Sequence, residues 1–80
     1  MQYFVYLLVT ADRKMPKTYV GWTTDLEKRL KQHNDGAGAK STRGRVWVLL
    51  YAECHPTRHE AMSREWHLKR DRRFRDKLRH

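Results

Sequence analysis

The pattern of hydrophobic positions begins with an almost uninterrupted apolar and aromatic run from Tyr3 to Val9. A strand that is covered on both faces has this pattern, so the run predicts the central strand of a sheet. A polar loop that contains Pro16 follows, and residues 18–22 predict a second short strand, antiparallel to the first. Residues 46–52 are again apolar and predict a third strand.

Two helices are predicted over residues 24–34 and 57–70. Each segment opens with Thr and has Glu three residues later, which is the spacing of a capping box with Thr as the N-cap. The last residues, 71–80, predict a short amphipathic helix or a basic tail. The order β-β-α-β-α predicts an α+β fold in a single domain over residues 1–80, a small three-stranded antiparallel sheet flanked by helices.

Polar side chains interrupt the apolar faces of both predicted helices. Helical spacing places Arg29 and His33 on the face that begins at Leu26, and it places Glu65 on or beside the face that contains Leu68. One interpretation is that these long side chains simply extend to water. The alternative is a shared site, because Arg can neutralise charge on phosphoryl oxygens and a carboxylate can hold a divalent metal.

The charge of the chain favours an anionic partner. The sequence contains 18 Lys and Arg residues and nine Asp and Glu residues, which gives a net charge of +9. Nucleic acid is the favoured partner class, and an anionic membrane surface is the weaker alternative. No apolar run approaches the roughly 20 residues of a membrane span, and no signal peptide is visible. We therefore expect a cytoplasmic protein without a membrane association, and the single cysteine, Cys54, excludes an intrachain disulfide.

The positive charge falls in two clusters, a glycine-rich loop over residues 36–45 and the C-terminal segment 64–80. Such clusters bind phosphates whatever the base sequence, although a merely solvated surface is the alternative interpretation. No base-reading motif is present, so we expect recognition of the backbone or of shape. The candidate nucleic-acid-binding residues are Lys40, Arg43, Arg45, Arg64, Lys69, Arg70, Arg72 and Arg73.

Several motifs together resemble the signature of the GIY-YIG nuclease superfamily. Phe4-Val5-Tyr6 is followed by Tyr19-Val20-Gly21, and Arg29 comes ten residues after Tyr19. Residues 25–34 and 36–45 are similar to segments of the small stand-alone bacterial members and of the catalytic subunit of the eukaryotic structure-specific resolvase. The segment 60–65 resembles the one that carries the metal-binding glutamate of the family. Phe4 replaces the usual glycine, which still suits a strand.

The resemblance implies a DNA endonuclease that depends on Mg²⁺ or Mn²⁺. Its substrate is expected to be branched or single-strand-containing DNA, in DNA repair or recombination. Tyr6 or Tyr19 is expected to activate or position the attacking water, and Arg29 to contact the scissile phosphate. His33 is expected to support the site, and Glu65 to bind the metal.

Two alternatives remain open. The chain could be a nucleic-acid-binding module without catalysis that acts with a protein partner, or a small structural or ribosome-associated basic protein. Only the nuclease hypothesis requires Glu65 to hold a metal. A single small site cuts one strand at a time, so cleavage of both strands needs a homodimer or two successive events.

Overall fold

The structure, a computed structural model, describes residues 1–12 and 14–79, and it confirms the predicted α+β fold. One three-stranded antiparallel sheet has the strand order β2-β1-β3, so the first strand is central as its apolar run predicts. Within the described residues, no helix is both long and apolar enough to span a bilayer. The elements are β1 (Tyr3–Thr10), β2 (Thr18–Thr23), α1 (Leu26–Asn34), a 3₁₀ turn (Lys40–Thr42), β3 (Trp47–His55), α2 (Arg58–Arg70) and α3 (Arg72–Arg79).

The two faces of β1 pack against different helices because successive side chains of a strand point to opposite sides. Val5 and Leu7 lie in a cluster with residues of α2, and the partly buried side chains of α3 pack against that cluster. On the other face, Tyr6 and Leu8 lie in a cluster with Trp47, against which the apolar residues of α1 pack. The uninterrupted apolar run of β1 is therefore explained by helices on both sides of the sheet.

The start of α1 differs from the sequence prediction by one residue. The N-cap is Asp25 rather than Thr24, and the Asp25 carboxylate accepts a hydrogen bond from the backbone N–H of Lys28 at 3.1 Å. Thr23 still belongs to β2, and its hydroxyl accepts from the N–H of Asp25 at 3.1 Å. A carboxylate at this position also complements the helix dipole. The start of α2 is as predicted, with Thr57 as the N-cap.

The glycine-rich loop is less exposed than its composition predicts. It contains the 3₁₀ turn, and the side chain of Thr42 at the end of that turn is fully buried. The indole N–H of Trp47 donates to the Thr42 carbonyl at 2.9 Å. The side-chain amide of Asn34 in turn accepts from the Trp47 N–H and donates to the Trp47 carbonyl. These bonds fasten the loop between the end of α1 and the start of β3.

The position of the α1 cap can be tested by paired substitutions. We expect Asp25→Ala to lower the free energy of unfolding by about 0.5–2 kcal/mol, since it leaves the first N–H groups of the helix without their acceptor. The exposed neighbour provides a matched control, and Thr24→Ala is expected to change stability by less than about 0.5 kcal/mol. Urea denaturation measures both values, and equal losses in the two variants would contradict the assignment.

Candidate active site

The side chain of Tyr6 is the centre of the polar group on the α1 side of the sheet. Tyr6 lies on the central strand, is only 2% exposed, and is paired with Gly21 on β2. A Cβ atom on Gly21 would lie 2.5 Å from the Tyr6 hydroxyl oxygen. The motif Tyr19-Val20-Gly21 therefore needs glycine at its last position, because the phenol ring of Tyr6 lies directly against the Gly21 backbone.

Two side chains of α1 reach the Tyr6 hydroxyl. The oxygen lies 2.9 Å from Nε2 of His33, and Nε of Arg29 donates to the same oxygen at 3.3 Å. Arg29 and His33 are four residues apart, so they lie on one side of the helix, as the sequence pattern predicts. His33 is completely buried, whereas Arg29 is half-buried and also donates to Gln32 at 3.2 Å.

The direction of each hydrogen bond among these side chains follows from the backbone carbonyl of Ala39, at which the series ends. The Thr42 hydroxyl donates to the carbonyl of Ala39 at 2.8 Å, because a carbonyl can only accept. Its oxygen therefore accepts from Nδ1–H of His33, also at 2.8 Å. Nε2 of a neutral His33 then carries no proton and accepts from the hydroxyl of Tyr6. Each group thus donates a hydrogen bond to the next. This hydrogen-bond chain runs from Arg29 through Tyr6, His33 and Thr42 to the carbonyl of Ala39.

The pKa shifts agree with this proton arrangement. Burial raises the pKa of Tyr6 to about 12, although the hydrogen bond from Arg29 acts in the opposite direction. Burial also lowers the pKa of His33, and the positive charge of Arg29 adds to that effect. Near pH 7 both groups are therefore neutral, which is the state that the hydrogen-bond chain requires.

Tyr19 completes the aromatic part of the group. Its ring centroid lies 4.8 Å from that of His33 and 6.3 Å from that of Tyr6. Hydrogen bonding to Tyr6 is the largest cause that raises the pKa of Arg29, and Tyr19 contributes a smaller part. Tyr19 is half-buried, in contrast to Tyr6. Four of the five predicted catalytic residues are thus brought together.

Glu65 forms no hydrogen bond or ion pair with these four residues among the contacts of the described chain. It is on α2 and forms an ion pair with Lys69 one turn later, at 3.4 Å. Its negative charge contributes to raising the pKa of Tyr6, after burial and the effect of Tyr19. No group of three His, Cys, Asp or Glu side chains that could hold a metal is found in residues 1–12 and 14–79. Any cation at Glu65 would therefore have few protein ligands.

An open cleft of about 530 Å³ adjoins Arg29. It lies between the end of β2 and α1, and Arg29, which lines it, is also hydrogen-bonded to the buried Tyr6 hydroxyl. Half-buried Trp22 forms part of its wall. The other lining residues are Thr23, Thr24, Asp25, Lys28 and Gln32.

The predicted nucleic-acid-binding residues differ in how accessible their charges are. Arg64 is half-buried, and its Nε donates to the Glu53 carboxylate at 2.6 Å, so its charge has a partner within the fold. Arg70 is exposed and stacks over the Trp66 ring at 3.7 Å. The other six candidates, Lys40, Arg43, Arg45, Lys69, Arg72 and Arg73, are exposed.

The model of the GIY-YIG catalytic domain matches residues 2–79. The chain belongs to the GIY-YIG family. The resemblance found in the two tyrosine motifs is thereby confirmed, and the match covers nearly the whole chain.

Relatives within the GIY-YIG family are small proteins named UPF0213. One from Clostridium perfringens is 48% identical over 68 residues, which are 84% of this chain and 70% of the relative. One from Haloquadratum walsbyi is 46% identical over 68 residues, which are 84% of this chain and 73% of the relative. The solution NMR structure of the UPF0213 protein from Bacillus halodurans is 39% identical, with a TM-score of 0.55. That match covers 98% of this chain and 82% of the other.

Thr42 is the member of this GIY-YIG site that the sequence analysis missed. It lies in a segment of small and basic residues that predicts an exposed loop, and nothing in its local pattern indicates burial. The one available signal is its position nine residues after His33, beyond a helix whose C-cap, Asp35, is followed by Gly36. Its role depends on the fold of the loop back over α1.

The hydrogen-bond chain predicts a change of tautomer in a variant that lacks the Thr42 hydroxyl. Thr42→Val removes the acceptor of Nδ1–H, so we expect a larger fraction of His33 with the proton on Nε2. Two-dimensional ¹⁵N NMR of the imidazole ring measures this fraction, and Thr42→Ser should restore the native tautomer.

Thr10→Val is the matched control, since the buried Thr10 hydroxyl accepts only from the N–H of Lys17. We expect it to destabilise the fold without changing the tautomer. An unchanged ¹⁵N spectrum of His33 in Thr42→Val would contradict the assigned direction of the hydrogen bond between His33 and Thr42.

Proposed function

We propose that this protein is a divalent-metal-dependent endonuclease that hydrolyses phosphodiester bonds in DNA. The GIY-YIG catalytic domain is a nuclease domain, which supports the general class. The observation that carries the proposal is the Tyr6 hydroxyl held between Arg29 and His33 beside an open cleft. A half-buried guanidinium that a hydrogen bond holds in place at the wall of a cleft is suited to an anionic transition state.

Arg29 is proposed to contact the scissile phosphate. Its guanidinium stays charged at any pH of interest, and hydrogen bonding to Tyr6 raises its pKa further. Nε is fixed by the Tyr6 oxygen, so the guanidinium is oriented before substrate arrives. An arginine held in this way can stabilise charge on the phosphoryl oxygens without reorganising during the reaction.

The two tyrosines are proposed to have different roles. Tyr6 is enclosed, its hydroxyl already contacts Arg29 and His33, and a phenol whose pKa is about 12 is a poor base near pH 7. Tyr6 therefore positions Arg29. Tyr19 is half-buried against His33, so it is the better candidate to position or activate the attacking water.

Glu65 is the candidate metal ligand. Mg²⁺ is commonly held by one or two carboxylates, with water and substrate phosphate as the other ligands. A single carboxylate whose ion-pair partner is a half-exposed lysine fits such a site for Mg²⁺ or Mn²⁺, and it does not fit a closed structural zinc site. A divalent cation held there supplies positive charge that stabilises the oxygens of the reacting phosphodiester.

Branched or single-strand-containing DNA is the proposed substrate, in repair or recombination. The cleft beside Arg29 is open along one side, and Trp22 in its wall offers an aromatic surface for an unpaired base. One observation favours the alternative of a binding module that requires a partner for catalysis. Glu65 is the one predicted ligand, and it makes no contact with the other four residues among the hydrogen bonds and ion pairs of the described chain.

A cleavage assay separates these two possibilities. Labelled flap, splayed-arm and plain duplex DNA are incubated with the protein in Mg²⁺, Mn²⁺ or EDTA. We expect cleavage only with metal, and we expect Glu65→Gln to reduce the rate by roughly 10²–10³-fold, since a charge on which the transition state depends is removed. DNA binding should be retained.

Glu60→Gln provides the control, because Glu60 is an exposed carboxylate on the same helix. It should cleave at the wild-type rate. Cleavage in EDTA, or full activity in Glu65→Gln, would count against the metal assignment, whereas binding without cleavage by the wild-type protein would favour the binding module.

A further inference from the structure

A second cleft, of about 520 Å³, lies at the start of β2 and is not part of the Tyr6 site. It is formed by the entry to the strand on one side and by α3 on the other. The residues of α3 that line it, Arg72, Arg75 and Asp76, are three and four positions apart and so lie on one side of the helix. The remaining lining residues are Pro16, Lys17 and Thr18.

Arg75 contains an unsatisfied donor beside this cleft. One of its terminal nitrogens donates to the Thr18 hydroxyl at 3.3 Å, which bridges 57 positions of sequence. Its Nε is buried and has no hydrogen-bond partner, the one such side-chain nitrogen or oxygen in the described part of the chain. Buried donors without a partner are rare in folded proteins, so the guanidinium of Arg75 retains donor capacity that the fold does not use.

The positive charges around the cleft are not neutralised by the fold. None of Lys17, Arg72 and Arg75 takes part in the ion pairs formed by the described residues. Asp76 lines the cleft without pairing with them, so the cations outnumber the carboxylate three to one. Arg64 shows the contrast, because its charge is paired with Glu53 within the fold.

Both sides of the cleft are held in place. The backbone of Lys17 forms two hydrogen bonds with Thr10, its N–H to the hydroxyl at 2.8 Å and its carbonyl to the Thr10 N–H at 3.0 Å. α3 is anchored through Phe74, whose ring packs edge-on against Tyr51 with centroids 5.2 Å apart. The three cations are therefore presented by a fixed frame rather than by loose chain ends.

The position of the cleft relates it to the candidate active site. β2 is an edge strand, with Thr18 at its start in this cleft and Thr23 at its end in the cleft beside Arg29. Five residues of extended strand span roughly 17 Å. This is about five base pairs along a duplex, at 3.4 Å per pair on each strand. The two clefts lie at opposite ends of this edge strand, one on the α1 side of the sheet and the other on the α3 side. A nucleic acid that contacts both must therefore pass around the edge of β2.

We propose that the cleft formed by Lys17, Arg72 and Arg75 is a second binding site for backbone phosphate of the nucleic-acid substrate. Arginine suits this ligand because its planar group can donate two hydrogen bonds to one phosphate. The identity of the polymer rests on the proposed function, whereas the preference for phosphate rests on the cleft itself. The site adds Lys17 and Arg75 to the surface predicted from sequence.

The test compares two double variants that remove the same charge. Lys17→Gln/Arg72→Gln neutralises two exposed cations of the cleft, and Lys14→Gln/Lys77→Gln neutralises two exposed cations of the same loop and helix outside it. Binding of a 20-base-pair duplex is measured in EDTA at several salt concentrations, so cleavage plays no part. Each lost phosphate contact should reduce the slope of log K against log salt by about 0.9.

We expect the cleft variant to lose about 1.8 in salt slope and the control variant to lose clearly less. In the wild-type protein, the Nε–H resonance of Arg75 should shift on titration with the duplex. Equal slopes in the two variants, or an unmoved Arg75 resonance, would overturn the second site. Both measurements are made without cleavage, so a protein that fails to cleave DNA can still show this phosphate site. Conversely, if the protein cleaves DNA but the two variants have equal salt slopes, the proposed function stands and the second site is wrong.

Discussion

The Tyr6 hydroxyl is the polar group on which the arrangement of the site depends. It lies on the central strand, almost without contact with water, and a buried hydroxyl without partners is costly. Arg29 and His33 supply those partners, and they can do so only because Gly21 leaves room for the ring. A single hydroxyl therefore orients both Arg29 and His33 on α1, a helix that also packs on the sheet through its leucines.

The same hydrogen-bond chain continues into the glycine-rich loop. His33 is held at its other ring nitrogen by Thr42, and Thr42 is held in turn by Trp47 at the start of β3. A loop whose composition predicts exposure thus becomes a support for the site. The exposed basic residues of this loop are therefore carried on a segment that is hydrogen-bonded, through Thr42 and His33, to the group around Tyr6.

The sequence predicts this fold well where the pattern is local. The run from Tyr3 to Val9 indicates a central strand, and the four-residue spacing of Arg29 and His33 indicates that they share a helix face; both predictions are confirmed. The α1 cap is predicted one residue early, because Thr24 and Asp25 are both suitable caps and the length of β2 decides between them. Contacts between distant segments could not be predicted. Thr42 meets His33 through the fold of a loop, and Thr18 meets Arg75 across 57 positions of sequence.

The arrangement of the site depends on Tyr6 being a neutral phenol, buried between Arg29 and His33. NMR of ¹³Cζ-labelled tyrosine, recorded while the pH is raised, measures the pKa of each tyrosine directly. The account predicts that Tyr6 titrates near 12 rather than 10.0, because burial disfavours its charged form. The folded state then gains stability from Tyr6 below pH 10, and it loses that stability as the pH rises towards 12. Titration of Tyr6 near 10.0, the ordinary value for tyrosine, would contradict a buried phenol.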